Sequence, residues 1–421
     1  MGIFVVSLVM IMGEKKGLTG LLHSWVDFLN RQESPFKINI WKNLTQRFAM
    51  NLTYQYQSIY LASLGASPLI LGFIGSLNGI INTILAIPTG VLADRIGIRK
   101  VLLMTISISM LSGVVFALAG SWEIAAAAMA LSGVAWVLDR TVCPMICGSV
   151  LESHERVTGM GICDTISFFP QLIAPIIGAT LITYFGGMNK TGIRPLYYLQ
   201  IAGYAVAFII VYLKFKNPTS RMGGKSENSI LQDLGTVLKE GKLVRRWLFL
   251  TLLTGFPYQV LFYVPLFAAE IKGANQFIIG GMSTASTLVF VFLAVPLGHM
   301  ADTYGRKKVV SVAALLVALS HLVLVWSPSD YILLLSGFMS GFNMTVIQSQ
   351  MAISVDLVPA KYLGSWYGIL GFVRGVIGII APIMCGYLWD LVSPASVFYL
   401  LAFMQIAALV VLLSVPTEIT R

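Results

Sequence analysis

Long apolar runs, separated by short polar segments, dominate the chain. Twelve of them lie near 36–64, 69–92, 101–120, 122–150, 159–185, 196–214, 246–271, 277–297, 309–326, 330–356, 364–389 and 396–415. A run of about 20 apolar residues is the length that crosses hydrocarbon as a helix. No water is present there to satisfy backbone groups, so spanning segments are helices or strands of a closed barrel, and these runs lack the short alternation of barrel strands. The pattern predicts an all-α integral membrane protein with twelve transmembrane helices.

The segments between the runs set the organisation. Residues 1–12 are apolar but too short to span and lack the basic start of a signal peptide, and Met12 marks an alternative start. Leu18, Leu21, Leu22, Trp25, Phe28 and Leu29 then recur at helical spacing among polar residues, which predicts an amphipathic helix on the membrane surface within residues 1–35. Residues 215–245 carry Pro218, Gly223, Gly224 and many charges and bisect the chain. They read as a linker between six-helix bundles at 36–214 and 246–415, with a short tail at 416–421.

Composition agrees with lipid as part of the solvent, since 57% of the residues are hydrophobic and only 11% are charged. The net charge of +10 is decided by its placement. With a cytoplasmic amino terminus, 22 of the 28 Lys and Arg fall on the inner side, five of them (Lys15, Lys16, Arg31, Lys37, Lys42) ahead of or opening the first span. Three (Lys190, Arg194, Lys272) fall outside, and Arg47, Arg140 and Arg374 fall within helices. This asymmetry puts both termini in the cytoplasm of a plasma-membrane protein, and it directs the charge to anionic lipid and not to nucleic acid.

The two halves are copies. Residues 87–101 read IPTGVLADRIGIRKV and residues 295–309 read VPLGHMADTYGRKKV, identical at seven of fifteen positions at an offset of 208. A second echo, Ile-Ala-Pro-Ile at 173–176 and 380–383, recurs at an offset of 207. Six spans return the chain to its starting side, so the halves run parallel, as in one large class of transporters.

The paired stretches resemble the signature loop of the major facilitator superfamily, Gly-x-x-x-Asp-Arg/Lys-x-Gly-Arg-Lys/Arg-Lys/Arg, which lies between the second and third helices and again between the eighth and ninth. Gly90, Asp94, Arg95, Gly97, Arg99 and Lys100 carry the first copy, with Ile98 where the family has a basic residue. Gly298, Asp302, Gly305, Arg306, Lys307 and Lys308 carry the second, with Thr303 after the Asp. The resemblance spans the chain and implies two bundles rocking about a central site. It also implies that Asp94 clamps the start of the eleventh helix near Gly364 and Ser365, and that the basic residues pair with acids at the inner ends of the fourth and tenth helices, here Glu152 and Asp356. The glycines are expected to give close approach and positive φ. Because of the two departures, Asp94 is expected to be the more sensitive of the two Asp residues.

The first run is unusually polar: Arg47, Asn51, Tyr54, Gln55 and Ser58 share one helical face. Lipid does not suit such a face, so it lines a cavity or packs on other polar helices. The resemblance places helices one, four, seven and ten around that cavity, which adds Trp136, Arg140, Tyr258, Gln259, Asn343 and Gln348. Asp139, Asp164 and Arg374 also lie within runs. Each is either a coupling group or one side of a fixed ion pair, with the two weighted equally for Asp139 beside Arg140 and the pair favoured for Asp164 and Arg374.

Other chemistry is absent from the sequence. The four His are far apart, the four Cys lie in apolar runs, and no phosphate-binding loop of an ATP-driven pump occurs. No cofactor, metal site or enzyme activity is expected. PQLIAPIIGA at 170–179 faintly resembles the antiporter signature of drug exporters, but its echo in the eleventh helix makes it a shared bend. The sequence thus points to a secondary active transporter of a small polar or anionic solute, proton-coupled and monomeric. A multidrug efflux antiporter is the rival reading, and a membrane receptor or enzyme is the rival outside the class.

Overall fold

The computed structural model describes residues 28–151, 156–217, 242–355 and 363–415, and among them every regular element is helical. The amphipathic leader up to residue 27 and most of the linker therefore lie outside the described residues. The first half holds α1 (Ser34–Thr53), a 3₁₀ turn (Tyr54–Tyr56), α2 (Gln57–Ser63), α3 (Pro68–Ile96), α4 (Ile98–Leu118), α5 (Trp122–Val150), α6 (Arg156–Phe168), α7 (Pro170–Tyr184) and α8 (Lys190–Lys214). The second holds α9 (Lys242–Gln259), α10 (Tyr263–Glu270), α11 (Gln276–Tyr304), α12 (Arg306–Trp326), α13 (Asp330–Ser340), α14 (Asn343–Val355), α15 (Leu363–Leu391) and α16 (Pro394–Leu413).

Ten spans among the described residues are long and apolar enough to cross a membrane, or eleven if α9 and α10, bent by 45°, count as one. The count stops short of twelve because, in the place of the first run, α1 is too polar and α2, with 7 residues, too short to qualify. That polarity has a use below. Several spans are broken: α6 gives way to α7 at Phe169–Pro170, and α13 to α14 at Gly341–Phe342. Proline without an N–H breaks the helical ladder, and Pro175, Pro257, Pro296 and Pro382 lie inside α7, α9, α11 and α15.

Equivalent helices pack equivalently. In the first half α1 lies on α7 and α8, and in the second α9 lies on α15 and α16. The halves meet along two seams, α3 against α15 and α7 against α11. At the end remote from the signature loops, a buried cluster draws on both halves, with Tyr56, Tyr60 and Phe116 joined to Tyr263, Phe267 and Phe398. Toward the loop end the core divides, with Val101, Leu138 and Val211 in one cluster and Trp247, Val310 and Trp366 in another. Among the described residues the halves are thus sealed at the far end and share no buried cluster toward the loop end.

Candidate functional site

Lys42 departs from its sequence expectation. Counted from the sequence among the flanking inner charges, it is in fact fully buried in α1, and its Nζ donates to Asp139 Oδ1 of α5 at 2.6 Å. An uncompensated charge at that depth is costly, so the pair is what makes either residue tolerable. Asp139 is one fifth exposed and ties α1 to α5. Its neighbour Arg140 does not pair with it. Arg140 is exposed on the same face as Trp136, four residues earlier, and such a guanidinium needs a wet surface and not lipid.

The polar face of the first run divides. Asn51 and Gln55 are buried and donate back to the Arg47 and Asn51 carbonyls, at 2.8 and 2.7 Å, and Ser58 is buried too. The 3₁₀ turn at Tyr54–Tyr56 breaks the helical register, so the face is not continuous. Tyr54 is more than half exposed, although protein surrounds it and Tyr258 lies within electrostatic reach. The surface it exposes is that of an interior cavity. The Arg47 guanidinium lies 4.7 Å from the Phe168 ring, and Phe168 meets Phe290 of the other half edge-on at 4.5 Å.

From the second half, Tyr258 and Gln259 are half-buried, and Gln259 donates to the Arg374 carbonyl at 3.3 Å. Gln348 is exposed, whereas Asn343 is buried. The structure thus sets Tyr54 near Tyr258 and Arg47 against Phe168, turns Asn51 and Gln55 back onto their own helix, and keeps Asn343 beside Tyr258 in the lining of one cavity. Among the described residues neither Arg47 nor Arg140 has a carboxylate within ion-pair distance. The side chain of Asp164 lies outside the described residues. No cluster of His, Cys, Asp or Glu able to hold a metal occurs among those that are described.

At the loop end, Gly97 and Gly305 adopt φ of +86° and +99°, which is how each signature loop turns from one span into the next. Gly90 and Gly298 are inside helices, and a Cβ at Gly298 would meet nothing within 4 Å. Arg99 donates to the Tyr212 carbonyl at 2.6 Å, at the end of α8. Lys307 donates to the Leu413 and Val415 carbonyls at 2.8 and 2.5 Å, at the end of α16. These two cations therefore cap helix C-termini within their own halves, where unpaired carbonyls carry partial negative charge. Arg95, Lys100 and Lys308 are exposed, and Arg306 is half-buried. The side chains of Asp94 and Asp302, the positions of Glu152 and Asp356, and the surroundings of Gly364 and Ser365 lie outside the described residues.

The sequence reasoning passed over Lys42, Phe168 and Phe290. A lysine at the start of a run carries no sign of burial, and an aromatic in an apolar run is ordinary. Only the contact between helices distinguishes them.

Two parallel helical halves, broken spans beside a central cleft, and a polar first span without the apolarity to face lipid define a multi-pass membrane transporter. The Major Facilitator Superfamily sequence model matches residues 44–282 and 268–420, and the chain belongs to that family. Its members are transporters, not enzymes. The chain is 29% identical over 147 residues to the class B tetracycline resistance protein of Escherichia coli, a match spanning 35% of this chain and 36% of that protein. It is 23% identical over 353 residues to the bacillibactin exporter of Bacillus subtilis (strain 168), covering 78% and 83%. In fold it is similar to the nucleoside transporter NupG, with a TM-score of 0.73 at 13% identity over 90% of this chain and 98% of that one. It is also similar to a D-xylose-proton symporter, with a TM-score of 0.69 at 16% identity over 91% and 98%.

Proposed function

We propose that this transporter carries a small anionic or polar organic solute across the plasma membrane by alternating access, coupled to protons. The observation that carries the substrate class is the pairing of Asp139 with Lys42, which among the described residues leaves Arg47 and Arg140 without a matching carboxylate. A cavity with that balance attracts anions and repels cations. The loop end carries the excess of Lys and Arg and is cytoplasmic on the positive-inside rule, so the conformer with parted loop ends faces inward. The signature loops then act in the opposite conformer, where their inner ends meet.

Proton coupling is assigned to the Lys42–Asp139 pair. A carboxylate with slight access to the cleft, held by one ammonium, can exchange that partner for a proton as the halves move. Export is a second reading of the direction, favoured by the relative that is an exporter over most of its length. Purified protein in proteoliposomes with an imposed proton gradient tests the proposal. Radiolabelled organic anions should accumulate against their gradient, and Asp139→Asn should abolish the accumulation while leaving counterflow intact. Transport of lipophilic cations in preference to anions would refute the substrate class, and uphill transport by Asp139→Asn would refute the coupling site.

A further inference from the structure

The far-end seal is itself duplicated, side chain for side chain. Tyr56 Oη lies 3.0 Å from the Pro175 carbonyl in its own half and 3.0 Å from the Gln276 carbonyl in the other. Tyr263 Oη lies 3.2 Å from the Pro382 carbonyl in its own half and 2.8 Å from the Pro68 carbonyl in the other. Tyr56 and Tyr263 are 207 residues apart, as are Pro175 and Pro382, while Pro68 and Gln276 are 208 apart. The Ile-Ala-Pro-Ile echo therefore supplies the own-half acceptor of each phenol.

Two further pairs surround each phenol at the same offsets. A Cβ on Gly280 would come to 2.8 Å from the Pro175 oxygen and 2.9 Å from the Tyr56 hydroxyl. One on Gly72 would come to 2.5 Å from the Pro382 oxygen and 3.0 Å from the Tyr263 hydroxyl. Thr284 Oγ1 donates to the Leu172 carbonyl at 3.1 Å, and Ser76 Oγ donates to the Ile379 carbonyl at 2.5 Å. Both bonds cross between the halves.

We propose that Tyr56 and Tyr263 are paired positioning residues of the transport cycle, two hydroxyl latches that set how long the far end stays shut. A phenol has one proton to donate and here faces two carbonyls. When the halves part, it loses the acceptor across the seam but keeps the one in its own half. No buried donor is orphaned in either conformer, so the latch releases at the cost of the cross-seam share of a bifurcated hydrogen bond rather than of an unsatisfied group. Gly72 and Gly280 give the phenols room, and the prolines bend α7 and α15 at the helix turn where the carbonyls are needed. The small cost per latch suits a contact that is made and broken on every cycle.

The inference rests on alternating access, and its test separates the two. Nitroxides are placed through a keto amino acid at Tyr184 and Tyr331, which are exposed at the far ends of α7 and α13, and their distance distribution is read by pulsed electron resonance in liposomes. Tyr56→Phe and Tyr263→Phe should each raise the ratio of long to short distances about twofold, and together about fourfold, as loss of the cross-seam share of a hydrogen bond at each of two separated sites predicts. Tyr60→Phe is the matched control: Tyr60 is equally buried and donates to the Phe116 carbonyl at 3.0 Å within one half, so it should lower thermal stability without moving the ratio. Gly72→Ala and Gly280→Ala should favour the long distance more strongly than either Phe variant. Two populations whose ratio the Phe variants move no more than Tyr60→Phe would overturn the latches alone. One short distance in every variant, both Ala variants included, would overturn alternating access and the latches with it.

Discussion

Along α3 and α15 the far end and the loop end treat glycine in opposite ways. From the far end to mid-span a Cβ on Gly72 would strike the Pro382 carbonyl, one on Gly79 the Gly378 backbone, and one on Gly375 Thr83. Toward the loop end of α15, a Cβ on Gly368 or Gly371 would meet nothing within 4 Å, and the same holds for Gly298 of α11. Glycine allows backbones to touch, and among the described glycines of α3 and α15 those from the far end to mid-span use that freedom in this conformer. The loop-end glycines lie on surfaces that are parted, which fits a seam closing at one end at a time.

The largest effect that tests this contrast comes from Gly79→Val. The Gly378 backbone cannot rotate away as a flexible side chain can, so overpacking there costs well above the usual ~1–3 kcal/mol. The far-end-closed conformer should nearly vanish, read as protection of far-end positions from a membrane-impermeant reagent. Gly298→Val should leave this conformer's far-end protection unchanged and reduce transport only through the opposite state. Equal loss of protection in both would break the comparison.

Next in size is Lys42→Met. Leaving Asp139 buried without its ammonium should destabilise the fold by about 3 kcal/mol, whereas Lys42→Met with Asp139→Leu should recover most of it, since a buried pair replaced by apolar groups is often nearly neutral. Thermal unfolding in detergent checks both. A smaller effect is expected at the loop itself: Gly97→Ala and Gly305→Ala place a side chain at positive φ and should each cost about 1–2 kcal/mol. Smallest are Arg99→Ala and Lys307→Ala. Each removes a cation from a helix C-terminus near the surface, a loss of roughly 0.3–1 kcal/mol that salt should screen. A severe loss of transport with intact stability in either would show that these cations act across the seam and not only within their halves.

The spans were legible because lipid imposes length and apolarity on each run independently, whatever it packs against. The same rule misplaced Lys42, since its burial depends on Asp139, 97 residues away, arriving from α5. Arg140 was readable as an intramembrane charge but not as the one left exposed while Asp139 pairs with Lys42. Asn51 and Gln55 belonged to the polar face on the helical wheel, yet short bonds back to their own helix removed them from the cavity. The signature loops were found at the right turns, and Gly97 and Gly305 carry the positive φ expected there, whereas Gly90 and Gly298 sit in helices.

The sequence by itself determined the membrane class, the duplication, the two turning loops and the family, because each depends on composition, repeat spacing or a local backbone demand. Tertiary structure alone decided which charges pair, which polar groups face the cleft and which end is shut. Those depend on the approach of helices from different parts of the chain, and a periodic apolar pattern carries no record of its neighbours.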